Sequence, residues 1–164
     1  FLTLSNYWSA GGRNKEILPL LKSVAETEGA ETLDIVHLLP PTPRKLLHTY
    51  PLPDREGIGN ELPDCFWSAF SFFGDAPSSR HLDTTIHVFD ERYLQIPPPY
   101  QLGDLILIYD KENDQILHAC NYLADDLVFT KNGQSLGRAT VTENYRRSDS
   151  IELIFSRLKP EFQR

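Results

Sequence analysis

Gly103-Asp104-Leu105-Ile106-Leu107-Ile108-Tyr109, then Ile116-Leu117-His118-Ala119-Cys120-Asn121-Tyr122-Leu123-Ala124, then Leu127-Val128-Phe129-Thr130: these three runs decide the fold. Each is short, apolar and rich in β-branched or aromatic residues. The intervening Lys111-Glu112-Asn113-Asp114 and Asp125-Asp126 are turn-forming polar clusters. Such a pattern predicts consecutive antiparallel strands joined by tight turns. Strands are expected over 104–109, 116–124 and 127–130, with another turn at Lys131-Asn132-Gly133. Residues 138–145 are ambiguous, and 151–158 read as a last strand.

Upstream the period lengthens. Ile17, Leu18, Leu20, Leu21, Val24 and Ala25 recur at helical spacing, which predicts a helix over 15–28, stopped by Gly29. Residues 1–14 end in a loop signal, Ala10-Gly11-Gly12-Arg13-Asn14. A short helix is expected over 31–39, broken by Pro40, Pro41 and Pro43, with a further turn or two over 44–49. Residues 50–61 read as a loop. Asp64 is placed to cap a helix led by Cys65, whose residues Phe66, Trp67, Ala69, Phe70 and Phe73 are apolar on most sides and therefore buried. Residues 75–101 read as irregular, with a short helix before Pro97-Pro98-Pro99. Helices first and an antiparallel meander afterwards predict an α+β fold, in one domain over 1–164.

Composition restricts the function. The chain has 164 residues, is 40% hydrophobic and carries a formal net charge of −7. This argues against nucleic-acid and anionic-membrane partners, which need clustered Lys and Arg. No apolar run approaches the roughly 18 residues of a spanning helix. The chain begins at Phe1 rather than Met, as expected of a processed or trimmed form from which a targeting segment has gone. Cys65 and Cys120 are expected to be reduced thiols. His37, His48, His81 and His87 have no ligand-like spacing, so neither a metal nor another cofactor is expected.

A cysteine where a helix begins and a histidine in a later strand are the minimum for a thiol nucleophile and its base. A free thiol is only about 3% ionised at neutral pH. The partial positive charge of a helix start and a nearby imidazolium are expected to lower its pKa and make the thiolate the major form. The same backbone N–H groups can hold a tetrahedral oxyanion. A histidine base needs a third group to fix its tautomer; Thr130 and Asn132 are the candidates. Cys120, in mid-strand, reads as core.

Asp64-Cys65 opening a helix, Gly103-Asp104-Leu105-Ile106-Leu107, and His118 followed by Tyr122-Leu123-Ala124-Asp125 resemble the NlpC-type cell-wall cysteine peptidases over roughly residues 60–132. The resemblance implies a papain-like α+β core over 61–164, preceded by a helical N-terminal extension over 1–60. It implies Cys65 as nucleophile, His118 as base, and a third polar residue near Thr130, with Lys131 and Asn132 as the alternatives if the register slips. It also implies hydrolysis of amide bonds in peptidoglycan stem peptides through an acyl-enzyme, no cofactor, and an extracytoplasmic location. Tyr50 falls where the family often places a substrate-contacting tyrosine, and Asp64 is a supporting candidate. The sequence departs from the family pattern at Phe66, where Ser is common, and at Ala119-Cys120, where Val-Gly is common. Two alternatives share the fold: a catalytically silent binding domain, and a thiol-dependent acyl or amide transferase.

Overall fold

The computed structural model describes residues 2–50, 63–74, 82–133 and 137–163. The expected loop over 51–61 lies outside the described residues; Tyr50 lies within them. The protein is α+β, with N-terminal helices on a six-stranded antiparallel sheet. The helices are α1 (Leu2–Trp8), α2 (Asn14–Glu26), α3 (Pro41–His48), α4 (Cys65–Phe70) and α5 (Leu82–Arg92). The strands are β1 (Tyr93–Gln95), β2 (Leu105–Asp110), β3 (Gln115–Ala124), β4 (Leu127–Thr130), β5 (Thr140–Glu143) and β6 (Ile151–Leu158).

Several expectations are corrected. Residues 2–8, to which the sequence assigns no element of their own, are helical, held by Tyr7 Oη donating to Leu123 O at 2.5 Å and by Trp8 packing in the core. The helix expected over 31–39 is only a 3-10 turn, Ile35–Leu38, capped by Asp34. The prolines after it do not merely break that element: Pro41 opens α3 at its first turn, where a missing N–H costs nothing. The short helix expected before the triple proline is present as α5, but it is followed by an edge strand, β1, where irregular chain was expected.

The sheet order is β1-β6-β2-β3-β4-β5. From β2 to β5 the chain is the expected meander. β6 then returns to the far side of β2 and separates it from β1. On one face Cys65, Phe66, Ala69 and Phe70 of α4 pack against Leu105, Leu107 and Ala119. Further along, Phe72, Leu123 and Phe129 share a core with Trp8, Ile17, Leu21, Leu38 and Leu39, so the N-terminal helices are bound into the same structure as the sheet. The opposite face carries Ile106, Ile108, Cys120, Val128, Leu153 and Phe155. Among the described residues no helix is long and apolar enough to cross a membrane.

Candidate functional site

Asp64 Oδ1 accepts from the Trp67 N–H at 2.8 Å, the cap that starts α4 and puts Cys65 in its first turn. The cysteine is 5% exposed. Both cysteines are free. The Asn121 amide, across the sheet, donates to Ala69 O at 3.0 Å and holds α4 along β3.

Pairing of β3 with β4 ends at Cys120 and Thr130. Beyond that pair, at His118 and Ala119, β3 has no strand partner on the β4 side among the described residues. The Ala119 N–H is directed at the Cys65 sulfur, with the N–H groups of Phe66 and Cys65 itself also favouring the thiolate. A strand's N–H lies in the plane of the sheet, so Cys65 reaches toward the β4 side of β3 from the α4 face on which it packs. A register shift leaves Leu117 as an extra residue, with Ile108 opposite His118 and Tyr109 opposite Ile116. Bulges of this kind re-aim neighbouring side chains.

Alternation gives Ala119 to the α4 face, and His118 and Cys120 to the other. There His118 Nε2 meets Thr130 Oγ1 at 2.5 Å, across a sequence separation of 12. Thr130 is 2% exposed. The structure therefore brings His118 and Thr130 into direct contact and seats Cys65 one residue from His118 along the backbone. No hydrogen bond joins Cys65 to His118 among the described residues.

Burial dominates the electrostatics. It raises the Cys65 thiol above its ordinary value despite the three N–H groups, and the Asp64 charge adds to the rise. Burial lowers the His118 imidazole. Both groups are thus held in their neutral forms, against the expectation that the helix start and an imidazolium make the thiolate dominant. Cys120, fully buried in mid-strand, is pushed up to about 12, first by burial and then by Cys65.

Two neighbours join the site: Lys131, an alternative third residue in the sequence reading, and Tyr145, which that reading does not single out. Lys131 follows Thr130 and so turns toward the α4 side. It is 3% exposed, donates to Gly133 O at 2.7 Å, and feels the charges of Asp64 and Cys65; burial lowers its pKa. Tyr145 packs its ring edge-on to His118, with centroids 5.3 Å apart. A tyrosine in an irregular segment carries no spacing signal. Asn132 is exposed in the turn beyond β4. Tyr50 is 67% exposed and stacks under the Arg138 guanidinium at 5.1 Å.

An apolar cleft of about 360 Å³ lies on the α4 face between Phe89, Tyr93, Leu107, Tyr109, Ile116 and Ile154. Neither Cys65, His118 nor Thr130 lines it, so it is not where a thiol reaction would occur. Among the described residues no group of acidic, His or Cys side chains is arranged to hold a metal. Comparison with family models, with curated proteins and with solved structures finds no match.

Proposed function

We propose that this protein is a papain-like cysteine hydrolase of the NlpC type, cleaving peptide or amide bonds in peptidoglycan stem peptides. One observation carries the reading: His118 is held by Thr130 through Nε2, and the Cys65 sulfur rests on the N–H of the very next residue, Ala119. With Nε2 engaged, Nδ1 is the nitrogen left to serve a thiol. The resemblance of residues 60–132 to the cell-wall peptidases supplies the substrate class.

In this mechanism His118 Nδ1 takes the thiol proton as Cys65 Sγ attacks the carbonyl carbon. Backbone N–H groups around the sulfur receive the oxyanion. The imidazolium returns the proton to the leaving amine, and an acyl-enzyme remains. Water, deprotonated by the same nitrogen, then attacks the thioester and releases the acid. Because thiol and imidazole both rest neutral, proton transfer accompanies attack and no standing ion pair is required. No step calls for a metal.

The test is incubation with defined muropeptides, scored by mass spectrometry for a newly freed amine. Turnover is expected from the wild type and is lost in Cys65→Ala and His118→Ala. Full turnover by Cys65→Ala overturns the reading. The missing Cys65–His118 hydrogen bond and the protonated thiol favour a second reading, a binding domain on the same fold. That reading predicts muropeptide binding by wild type and Cys65→Ala alike, with no turnover. Product carrying an added amine in place of water would assign the transferase.

A further inference from the structure

Helix α5 runs into β1 through an aromatic pair. The Phe89 and Tyr93 rings stack at 15° with centroids 5.9 Å apart. Phe70 of α4 braces Tyr93 edge-on at 5.3 Å. These two rings wall one side of the apolar cleft of about 360 Å³ on the α4 face. The floor is the sheet: Leu107 and Tyr109 of β2, Ile116 of β3 and Ile154 of β6. Helix α4 packs on Leu105, Leu107 and Ala119, whereas Tyr109 and Ile116, further along the same strands, stay half-buried.

The charge around this cleft has one sign. Asp90, which is exposed, is the only charged residue that lines it among the described residues. Two more carboxylates stand at Tyr109. Its hydroxyl donates to Asp114, and the exposed Glu152 lies directly opposite it on β6, on the same face of the sheet. Two of the basic side chains nearest in sequence are engaged elsewhere: Arg92 lies over the Phe162 ring at 5.2 Å, and Lys159 donates to Glu91 O.

Each part of this arrangement selects. Aromatic faces attract cations, carboxylates do so by charge, and the aliphatic floor gains by covering hydrocarbon. An anion would meet carboxylates with no cation to offset them. A small polar cation would leave the floor unused. The volume stands at the lower end of small-molecule sites, room for a ring and a short chain but not for a helix or strand of a partner. We propose that the cleft binds a small organic ammonium ion, with its apolar body on Leu107, Ile116 and Ile154 and its charged head toward the aromatic pair and Asp90. Cys65 does not line the cleft, so this site stands whether or not the protein is a hydrolase.

The test titrates four probes into the full chain at about 0.15 M salt. They are 2-phenylethylammonium, 2-phenylethanol with the ring but no charge, methylammonium with the charge but no ring, and phenylacetate with the opposite charge. The methyl NMR signals of Leu107, Ile116 and Ile154 report the cleft; those of Ile106 and Val128, on the opposite face, are the control. 2-Phenylethylammonium is expected to shift the first set alone and to bind on the order of fivefold tighter than the alcohol. Methylammonium and phenylacetate are expected to leave the cleft signals in place. Asp90→Asn is expected to bring the ammonium down to the affinity of the alcohol and to leave the alcohol unchanged. The proposal is overturned if 2-phenylethylammonium leaves the cleft signals unmoved or binds no tighter than the alcohol. It also falls if methylammonium matches it, which would be mere counter-ion attraction to an acidic protein, or if Asp90→Asn keeps the full preference. The wild-type series decides by itself should Asp90→Asn fail to fold.

Discussion

At Cys65 and His118 burial outweighs every local charge. The helix start and three backbone N–H groups stabilise a thiolate, yet removal from water leaves the thiol above its ordinary pKa. The imidazole moves the opposite way. A depressed histidine is neutral, and so competent as a base, at pH values where a free imidazole is already protonated. The acid limb of kcat/KM is therefore expected to have its midpoint below the ordinary imidazole value of about 6.5; a midpoint above that value would show that burial does not hold this imidazole neutral. Lys131 lies close enough to Cys65 for the thiol's charge to act on its ammonium. Replacing it with Met is expected to move the pH dependence of Cys65 alkylation upward, by on the order of one pH unit. Lys131→Arg should keep the wild-type profile. Peptide mapping after iodoacetamide treatment separates Cys65 from Cys120, and an unmoved Met profile would remove Lys131 from the thiol's environment.

Among the elements, β2 begins where it does because of Gly103 and Asp104. Gly103 has φ +87°, and a Cβ there would land inside the Phe73 ring, so glycine alone lets Phe72 and Phe73 close over the strand. Asp104 is 4% exposed and takes a two-point grip from Arg157 of β6, Nε to Oδ1 and Nη2 to Oδ2, both at 2.7 Å; it also accepts from the Gln101 N–H. This pair joins two strands that are far apart in sequence but adjacent in the sheet. Asp104→Ala leaves the part-exposed Arg157 without its partner and is expected to cost about 1.5 to 3 kcal/mol in urea unfolding. A loss under 1 kcal/mol would show that the pair is dispensable. The apolar runs of β2, β3, β4 and β6 announce themselves because each buries a continuous stretch. Helix α5 shows only weakly, as a short helix of undefined bounds before the triple proline, since Thr84, Thr85, Ile86 and Val88 are β-branched and weak helix formers. Strand β1 is three residues long with Leu94 exposed, too short and too one-sided to show a period.

Across the whole molecule, what the sequence could show ends where partner choice begins. Alternation and turns predict a meander, but nothing local says that β6 crosses back to pair with β2 rather than extend from β5. The same division runs through the site. The contact of Thr130 with His118 follows from two adjacent strands in register, so it could be anticipated. The reach of Tyr145 and the burial of Lys131 depend on how the chain returns after β4, and could not. Buried titratable groups also shape the stability of the entire fold. Between its folded and unfolded pKa values His118 binds fewer protons in the native state than in the unfolded one, so stability rises with pH through that window and falls on acidification below about 6.5. Glu16, held low by its hydrogen bond from Arg44, adds a further loss at more acidic pH. Cys65 and Cys120, both raised, bind more protons when folded, so stability declines again above the ordinary thiol value of about 8.5. Urea midpoints against pH should therefore trace a dome with its top between these limits. On its acid side one proton contributes at most about 1.4 kcal/mol per pH unit. His118→Gln should flatten the slope just below pH 6.5 and leave the more acidic, carboxylate-driven loss in place. A His118→Gln curve with the wild-type slope in that window would mean that the imidazole is as well solvated folded as unfolded, and its role as a buried neutral base would fall with it.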